Sequence, residues 1–181
     1  RLIIFGGPQA KLYEFTDYLI IGEGEEGLFY LLSCIKKGDR PPKIIQRKTD
    51  ITKIPIPYTS ADIKGLTNKI IYFETSRGCP FNCSYCLSSI EHSVRYFPME
   101  YVINGFNMFF KHKVPVVKLV DRTFNCNLKR AAEIVRYIVD NSGGTCVHLE
   151  IAPHLLNDEL IDLFFSAPQF FKLELGIQSA N

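Results

Sequence analysis

The alternation of short apolar runs with segments of helical periodicity, which begins near Lys69, is the feature that most constrains the fold. Four apolar runs predict strands, at 69–76, 115–121, 145–152 and 171–178. Three intervening segments predict helices, at about 98–112, 127–141 and 157–166. Strands that alternate with helices pair in parallel through right-handed crossovers. The expected class is therefore α/β, as an open doubly wound sheet or as part of a (β/α) barrel.

A shorter α/β segment precedes this pattern. Apolar runs at 2–5 and 17–21 predict two strands that each end in a glycine turn, and apolar residues from Leu28 recur at helical spacing until Gly38. Residues 39–68 contain four prolines among charged residues, which predicts an extended linker. The predicted organisation is a domain at 1–38, a linker at 39–68 and a second domain at 69–181.

Composition and charge limit the partners and the compartment. The chain has 21 basic and 19 acidic residues, so it lacks the basic surplus typical of nucleic-acid binding. No apolar run approaches the roughly 18 residues that suggest a membrane span, and we expect a cytoplasmic protein. Both ends of the chain lie in or beside a predicted strand, so we also expect a fragment of a longer protein.

Three of the six cysteines lie within eight residues, as Cys79-x3-Cys83-x2-Cys86. The loop follows a predicted strand and contains Gly78 and other turn residues, which let the backbone wrap closely around a bulky group. A tetrahedral zinc site uses four protein ligands, whereas three thiolates on a four-iron cluster leave one iron open. The spacing favours the cluster. A zinc site completed by His92 and a disulfide with a spare thiol are the alternatives.

Polar side chains near the ends of the other predicted strands suggest a ligand cavity. By strand parity Asp121 is in phase with Val117 and Leu119, Glu150 with His148, and Gln178 with Glu174. A packed barrel interior would be aliphatic. We therefore expect these groups to meet at one mouth and bind a charged, hydroxyl-bearing ligand. Taken singly, Asp121 or Glu174 fits a surface carboxylate or a helix cap equally well.

The cysteine motif with an aromatic residue before its last cysteine, here Tyr85, resembles that of the radical S-adenosylmethionine (SAM) superfamily. The resemblance implies a [4Fe-4S] cluster held by Cys79, Cys83 and Cys86, with SAM bound to the open iron. It also places Tyr85 near the adenine. The implied activity is reductive cleavage of SAM to methionine and a 5′-deoxyadenosyl radical.

Two further segments resemble the cobalamin-associated group of this superfamily, which includes anaerobic magnesium-protoporphyrin ester cyclases. Residues 120–125 are similar to the segment after the second strand, which more often contains Asp-Asp-Thr-Phe. Arg122 replaces the second acid here, which leaves Asp121 as the candidate for the SAM ammonium. Residues 173–179 are similar to the fourth strand and imply that Gln178 and Ser179 approach the ribose. With Glu150, these residues are predicted to position SAM.

The glycine turns at 6–10 and 21–25 resemble the second half of a Rossmann-like cobalamin-binding domain. The family's cobalt-ligating motif would lie upstream of Arg1, so cobalamin is expected only in a longer parent. The resemblance implies a small-molecule substrate, with tetrapyrrole cyclisation, methyl transfer and methylthiolation left open, and an electron donor such as flavodoxin or ferredoxin. A non-catalytic iron–sulfur or zinc module is the rival. A folded but inactive fragment that self-associates through an exposed strand edge is a third reading.

Overall fold

The structure is a computed structural model that describes residues 1–66, 68–90 and 93–176. The chain divides into two compact units, Arg1–Lys53 and Ile54–Asn181. In the described part of the chain, no helix is long and apolar enough to cross a membrane.

The first unit is a parallel three-stranded sheet with one helix. It contains β1 (Ile4–Gly6), β2 (Tyr18–Ile21), α1 (Gly24–Lys37) and β3 (Ile44–Gln46), and the strand order is β1-β2-β3. Acidic residues begin α1 and lysines end it, as the helix dipole favours. Its core is formed by Ile20, Leu31 and Ile45. The two predicted strands and the helix are confirmed.

The linker predicted for residues 39–68 is wrong. β3 pairs in parallel with β2, a short 3-10 helix occupies Ile51–Lys53, and α2 occupies Ser60–Gly65. Thr59 and Asp62 form a reciprocal capping box at the start of α2. These elements span three to six residues, too few to show a periodicity. Along the chain, the boundary between the two compact units falls after Lys53, within the region predicted to be linker.

The second unit is built on a parallel four-stranded sheet. After α2, its elements are β4 (Ile70–Phe73), β5 (Ser76–Arg77), β6 (Arg95–Tyr96), α3 (Met99–Lys111), β7 (Val116–Leu119), α4 (Leu128–Asn141), β8 (Cys146–Ile151), α5 (Asp158–Ser166) and β9 (Phe171–Leu175). The sheet order is β4-β7-β8-β9, and β5 and β6 form a separate antiparallel pair. The helices and parallel strands predicted from Lys69 onward are confirmed, but the strands are shorter than predicted: β4 and β7 each have four residues.

The two faces of the four-stranded sheet differ in burial. One face contributes buried residues that contact the helix layer, namely Ile71, Phe73, Val117, Leu119, Val147 and Leu149. Phe73, for example, packs edge-on against Phe106 and Phe109 of α3, with ring centroids 5.8 and 5.1 Å apart. The opposite face carries exposed Ile70 and Tyr72, and we call it the open face. In a (β/α) barrel the helices surround the strands, so the open face corresponds to the barrel interior.

Replacement of Gly105 by alanine tests the packing between α3 and the sheet. A Cβ at Gly105 would lie 2.4 Å from Cζ of Phe73, whose ring is buried and cannot move aside. We expect Gly105→Ala to lower the free energy of unfolding by about 1–3 kcal/mol in urea titrations followed by circular dichroism. A Cβ at Gly65 would meet no atom within 4 Å, so Gly65→Ala is the control. Equal stability of the two variants would contradict this packing.

Candidate functional site

The three-cysteine loop leaves the sheet at the carboxyl end of β4. β5 pairs with β6, with Arg77 opposite Arg95. The two ends of the loop that joins these strands therefore lie side by side. Active sites of (β/α) barrels lie at the carboxyl ends of the strands. The loop is therefore at the end of the sheet where catalytic groups collect in such folds.

Gly78 opens the loop in a conformation that requires glycine. Its φ is +91°, and a Cβ there would lie 2.1 Å from the backbone oxygen of Ser93. The backbone at the two ends of the loop is thus in close contact, and there is no room for a side chain at Gly78. Cys79 follows and is buried, with its Sγ 3.5 Å from Oγ1 of Thr123, which lies beyond β7. The first cysteine is thereby fixed against the neighbouring strand.

Cys83 and Cys86 lie in the outer part of the loop and are half-buried. The backbone N–H of Cys86 donates to the carbonyl of Cys83 at 3.1 Å, which closes a turn between them. Tyr85 is 73% exposed beside them. The pKa of Tyr85 is raised, first by partial desolvation and then by Cys83.

The donor set of this loop fits an iron–sulfur cluster. None of the six cysteines, all of which the structure describes, forms a disulfide. Across residues 1–66, 68–90 and 93–176, no three His, Cys, Asp or Glu side chains are close enough together to hold one metal ion. A four-iron cluster sets a different condition, because each thiolate binds a different iron and the sulfurs need not meet at one point. His92, the fourth ligand of the zinc alternative, lies outside the described residues.

Asp121 does not reach the open face, so its predicted place at the mouth is wrong. It is 1% exposed, and its carboxylate accepts hydrogen bonds from the backbone N–H of Thr75 at 2.7 Å and from the hydroxyls of Thr75 and Ser76. Burial raises the pKa of Asp121, and these hydrogen bonds oppose the rise. The register that pairs Phe73 with Leu119 carries Asp121 toward Thr75 on the helix side. Asp121 therefore joins two strand ends instead of facing a ligand there.

Two clefts lie beside the cysteine loop at the carboxyl ends of the strands, and Glu150 and Arg122 line both. The first has a volume of about 390 Å³ and is also lined by Glu74, Ser76, Arg77, Gly78 and Val120. The second has a volume of about 280 Å³, and its walls include Phe81, His154, Glu174 and Gly176. Glu150 is thus at the predicted mouth. Gln178 and Ser179 lie outside the described residues. The SAM-binding roles predicted for Glu150, Gln178 and Ser179 stay predictions.

Sequence reasoning missed Lys118, the charged residue of the open face that lies beside the predicted carboxylates. Lys118 lies 3.5 Å from Glu150 and 3.0 Å from Glu174, and His148 lies 3.1 Å from Glu174. The available signal was a lysine inside the apolar strand Val116–Leu119. A charged residue within such a strand indicates a face that is not packed against apolar neighbours.

Comparison with known proteins identifies the class to which this fold and site belong. The model of the radical SAM superfamily matches residues 73–181, which is more than half of the chain. This chain belongs to the radical SAM superfamily.

The curated relatives are longer proteins. An uncharacterized methyltransferase, PH0819 of Pyrococcus horikoshii, is 27% identical over an alignment of 165 residues that covers 73% of this chain and 36% of the relative. An uncharacterized methyltransferase of Synechocystis, sll1242, is 33% identical over an alignment of 94 residues that covers 48% of this chain and 17% of the relative. The chain thus spans about a third, or less, of the curated relatives that it matches.

Solved structures confirm the predicted fold class, an α/β partial radical SAM domain. The radical SAM methyltransferase TsrM from Kitasatospora setae superposes with a TM-score of 0.73 at 17% identity, over 91% of this chain and 38% of TsrM. The cobalamin-dependent SAM radical enzyme OxsB superposes with a TM-score of 0.65 at 16% identity, over 91% of this chain and 29% of OxsB.

The cofactors predicted from the sequence are those that these neighbours hold. TsrM structures contain cobalamin, a [4Fe-4S] cluster and a SAM analogue, and OxsB structures contain aqua-cobalamin and SAM. The narrower resemblance to magnesium-protoporphyrin ester cyclases stays a prediction.

Replacement of Gly78 by alanine tests whether the loop's backbone geometry governs cluster binding. The new Cβ would collide with backbone at Ser93, and the positive φ would be strained, so the loop must shift. After anaerobic reconstitution with iron and sulfide, we expect Gly78→Ala to lose most of the bound iron. Gly65→Ala should retain it. A Gly78→Ala protein with the iron content of the wild type would contradict this role.

Proposed function

We propose that this chain is the cluster-binding and SAM-binding part of a radical SAM enzyme, and that it supports reductive cleavage of SAM. One observation carries the proposal: three thiols that form no disulfide lie in a single loop at the carboxyl end of a parallel sheet. Membership of the superfamily supports it. When bound, the cluster would supply an electron that breaks a carbon–sulfur bond of SAM, giving methionine and a 5′-deoxyadenosyl radical.

In this proposal, the protein's residues hold the cluster and orient SAM. Cys79, Cys83 and Cys86 bind three irons, and the contact of Cys79 with Thr123 fixes the loop against the sheet. Tyr85 is proposed to lie near the adenine. Glu150, which lines both clefts, attracts the positive charge of SAM. Gln178 and Ser179 are proposed to contact the ribose.

Methyl transfer to a small molecule is the reaction we propose for the longer parent. Both curated relatives are named as methyltransferases, and TsrM is a radical SAM methyltransferase. Tetrapyrrole cyclisation is the second candidate, favoured by the resemblance of residues 120–125 to the ester cyclase group. Reduction would require an electron donor such as flavodoxin or ferredoxin, and we propose a cytoplasmic location.

We also propose that the first unit is the carboxyl-terminal part of a Rossmann-like cobalamin-binding domain. Its three parallel strands and α1 support this, as do glycine turns with positive φ after β1 and β2, at Gly7 and Gly22. Both turns leave the carboxyl ends of parallel strands, where ligands bind in open α/β sheets. Cobalamin binding would then belong to the longer parent.

Anaerobic reconstitution tests the proposed function. We expect about four irons per chain and a visible-light chromophore, together with 5′-deoxyadenosine after addition of dithionite and SAM. The triple variant Cys79→Ala, Cys83→Ala, Cys86→Ala should lose both iron and product, whereas Cys34→Ala, which removes a thiol of the other unit, should lose neither. Bound zinc without SAM cleavage would favour the rival, a non-catalytic binding module, and overturn the proposal.

A further inference from the structure

Two carboxylates stand side by side on the open face. Glu150 of β8 and Glu174 of β9 are partners in the register of these parallel strands, and both line the second cleft. Like charges at neighbouring positions of a sheet repel one another. A cation placed beside both carboxylates offsets this repulsion.

Lys118 of β7 supplies that counter-charge. Its Nζ lies 3.0 Å from Oε2 of Glu174 and 3.5 Å from Oε1 of Glu150, and only 22% of its side chain is exposed. Lys118 is the register partner of His148, and His148 precedes Glu150 by two residues on the same face of β8. The Lys118 side chain therefore reaches both carboxylates from the neighbouring row of side chains. One ammonium thus links three adjacent strands.

The electrostatic effects of this arrangement are reciprocal. The hydrogen bond and charge of Lys118 lower the pKa of Glu174, with a smaller contribution from His148. The hydrogen bond with Glu174 in turn raises the pKa of Lys118. Other charged or titratable groups face the pair from the same cleft or the same strand faces: His148, Lys172, Arg122 and His154. Glu74 lies across the first cleft and is paired with Arg77.

We propose that Lys118 is a positioning residue that holds Glu150 and Glu174 side by side, so that the second cleft presents a carboxylate pair to a cationic ligand. The cationic ligand rests on the proposed function, in which it is SAM, with its sulfonium and ammonium groups. Among the residues that the structure describes, Lys118 forms ion pairs with these two carboxylates. Its role is to set the charge of the cleft.

Three substitutions separate this role from a structural one. Lys118→Met keeps the aliphatic stem and removes the charge, and Lys118→Arg restores the charge on a longer side chain. Lys172→Met is the matched control, because Lys172 lies on the same face of β9 and forms no ion pair with any residue that the structure describes. A purely structural role would change stability without changing the titration of Glu174.

Carbon-13 NMR of the glutamate carboxyls measures that titration directly in the full chain without cluster, with Glu174→Gln assigning the signal. In the wild type, Lys118→Arg and Lys172→Met, we expect Glu174 to titrate below its ordinary range. In Lys118→Met the midpoint should rise by about one pH unit or more, a tenfold change in proton affinity. An unchanged midpoint in Lys118→Met would overturn the proposal.

Equilibrium dialysis of SAM with the reconstituted chain tests the consequence for the ligand. A carboxylate with a raised midpoint becomes protonated as the pH falls, so the cation is then bound less well. From pH 7 to pH 5, the range in which a glutamate with a raised midpoint begins to gain its proton, we expect affinity to fall about twofold more in Lys118→Met than in the wild type, with Lys118→Arg restoring the wild-type profile. A wild-type profile in Lys118→Met would overturn this inference alone. A wild-type chain that binds no SAM would instead contradict the proposed function, and the titration of Glu174 would still test the positioning role.

Discussion

The buried carboxylate of Asp121 joins the carboxyl ends of two parallel strands, and the position of the cysteine loop depends on it. Thr75 and Ser76 donate to this carboxylate directly before the loop begins. Each buried donor left without its acceptor would cost about 1–3 kcal/mol. The guanidinium of Arg130 lies near enough to interact with Asp121 and donates to the carbonyl of Phe97 at 2.7 Å, which ties β6 to the same point. The loop therefore starts from a rigid base.

The two faces of the four-stranded sheet differ in chemistry, and this difference allows the fold to hold charged groups on one face. The helix-facing side chains are apolar and fully packed, which supplies stability without involving the ligand. The open face carries lysine, histidine and glutamate in adjacent rows. The positive charge of Lys118 therefore offsets the negative charges of Glu150 and Glu174 at the mouth. Glu150 and Arg122 then line clefts on both sides of one strand end. Substitutions on the helix-facing side should therefore change stability, and substitutions on the open face should change the charge of the clefts.

Local sequence was sufficient for the longer elements and the cysteine loop, and insufficient for the shortest elements and wherever strand register mattered. The helices and parallel strands after Lys69 followed from periodicity, and the loop followed from the spacing of Cys79, Cys83 and Cys86. Asp121 was misplaced because parity within one strand does not fix which face meets the helices; the pairing with β4 does. Lys118 was missed for the same reason, since its partners come from two other strands. β3 escaped detection because three residues show no period.

We infer that three thiolates of this loop leave one iron of a four-iron cluster open to SAM. Electron paramagnetic resonance of the dithionite-reduced, reconstituted chain tests it, with SAM isotopically labelled in its amino and carboxylate groups. We expect SAM to change the spectrum, and we expect electron–nuclear double resonance to show coupling of both labels to the cluster. A reduced-cluster spectrum that SAM leaves unchanged, without coupling to either label, would show that no iron of the cluster is open to SAM.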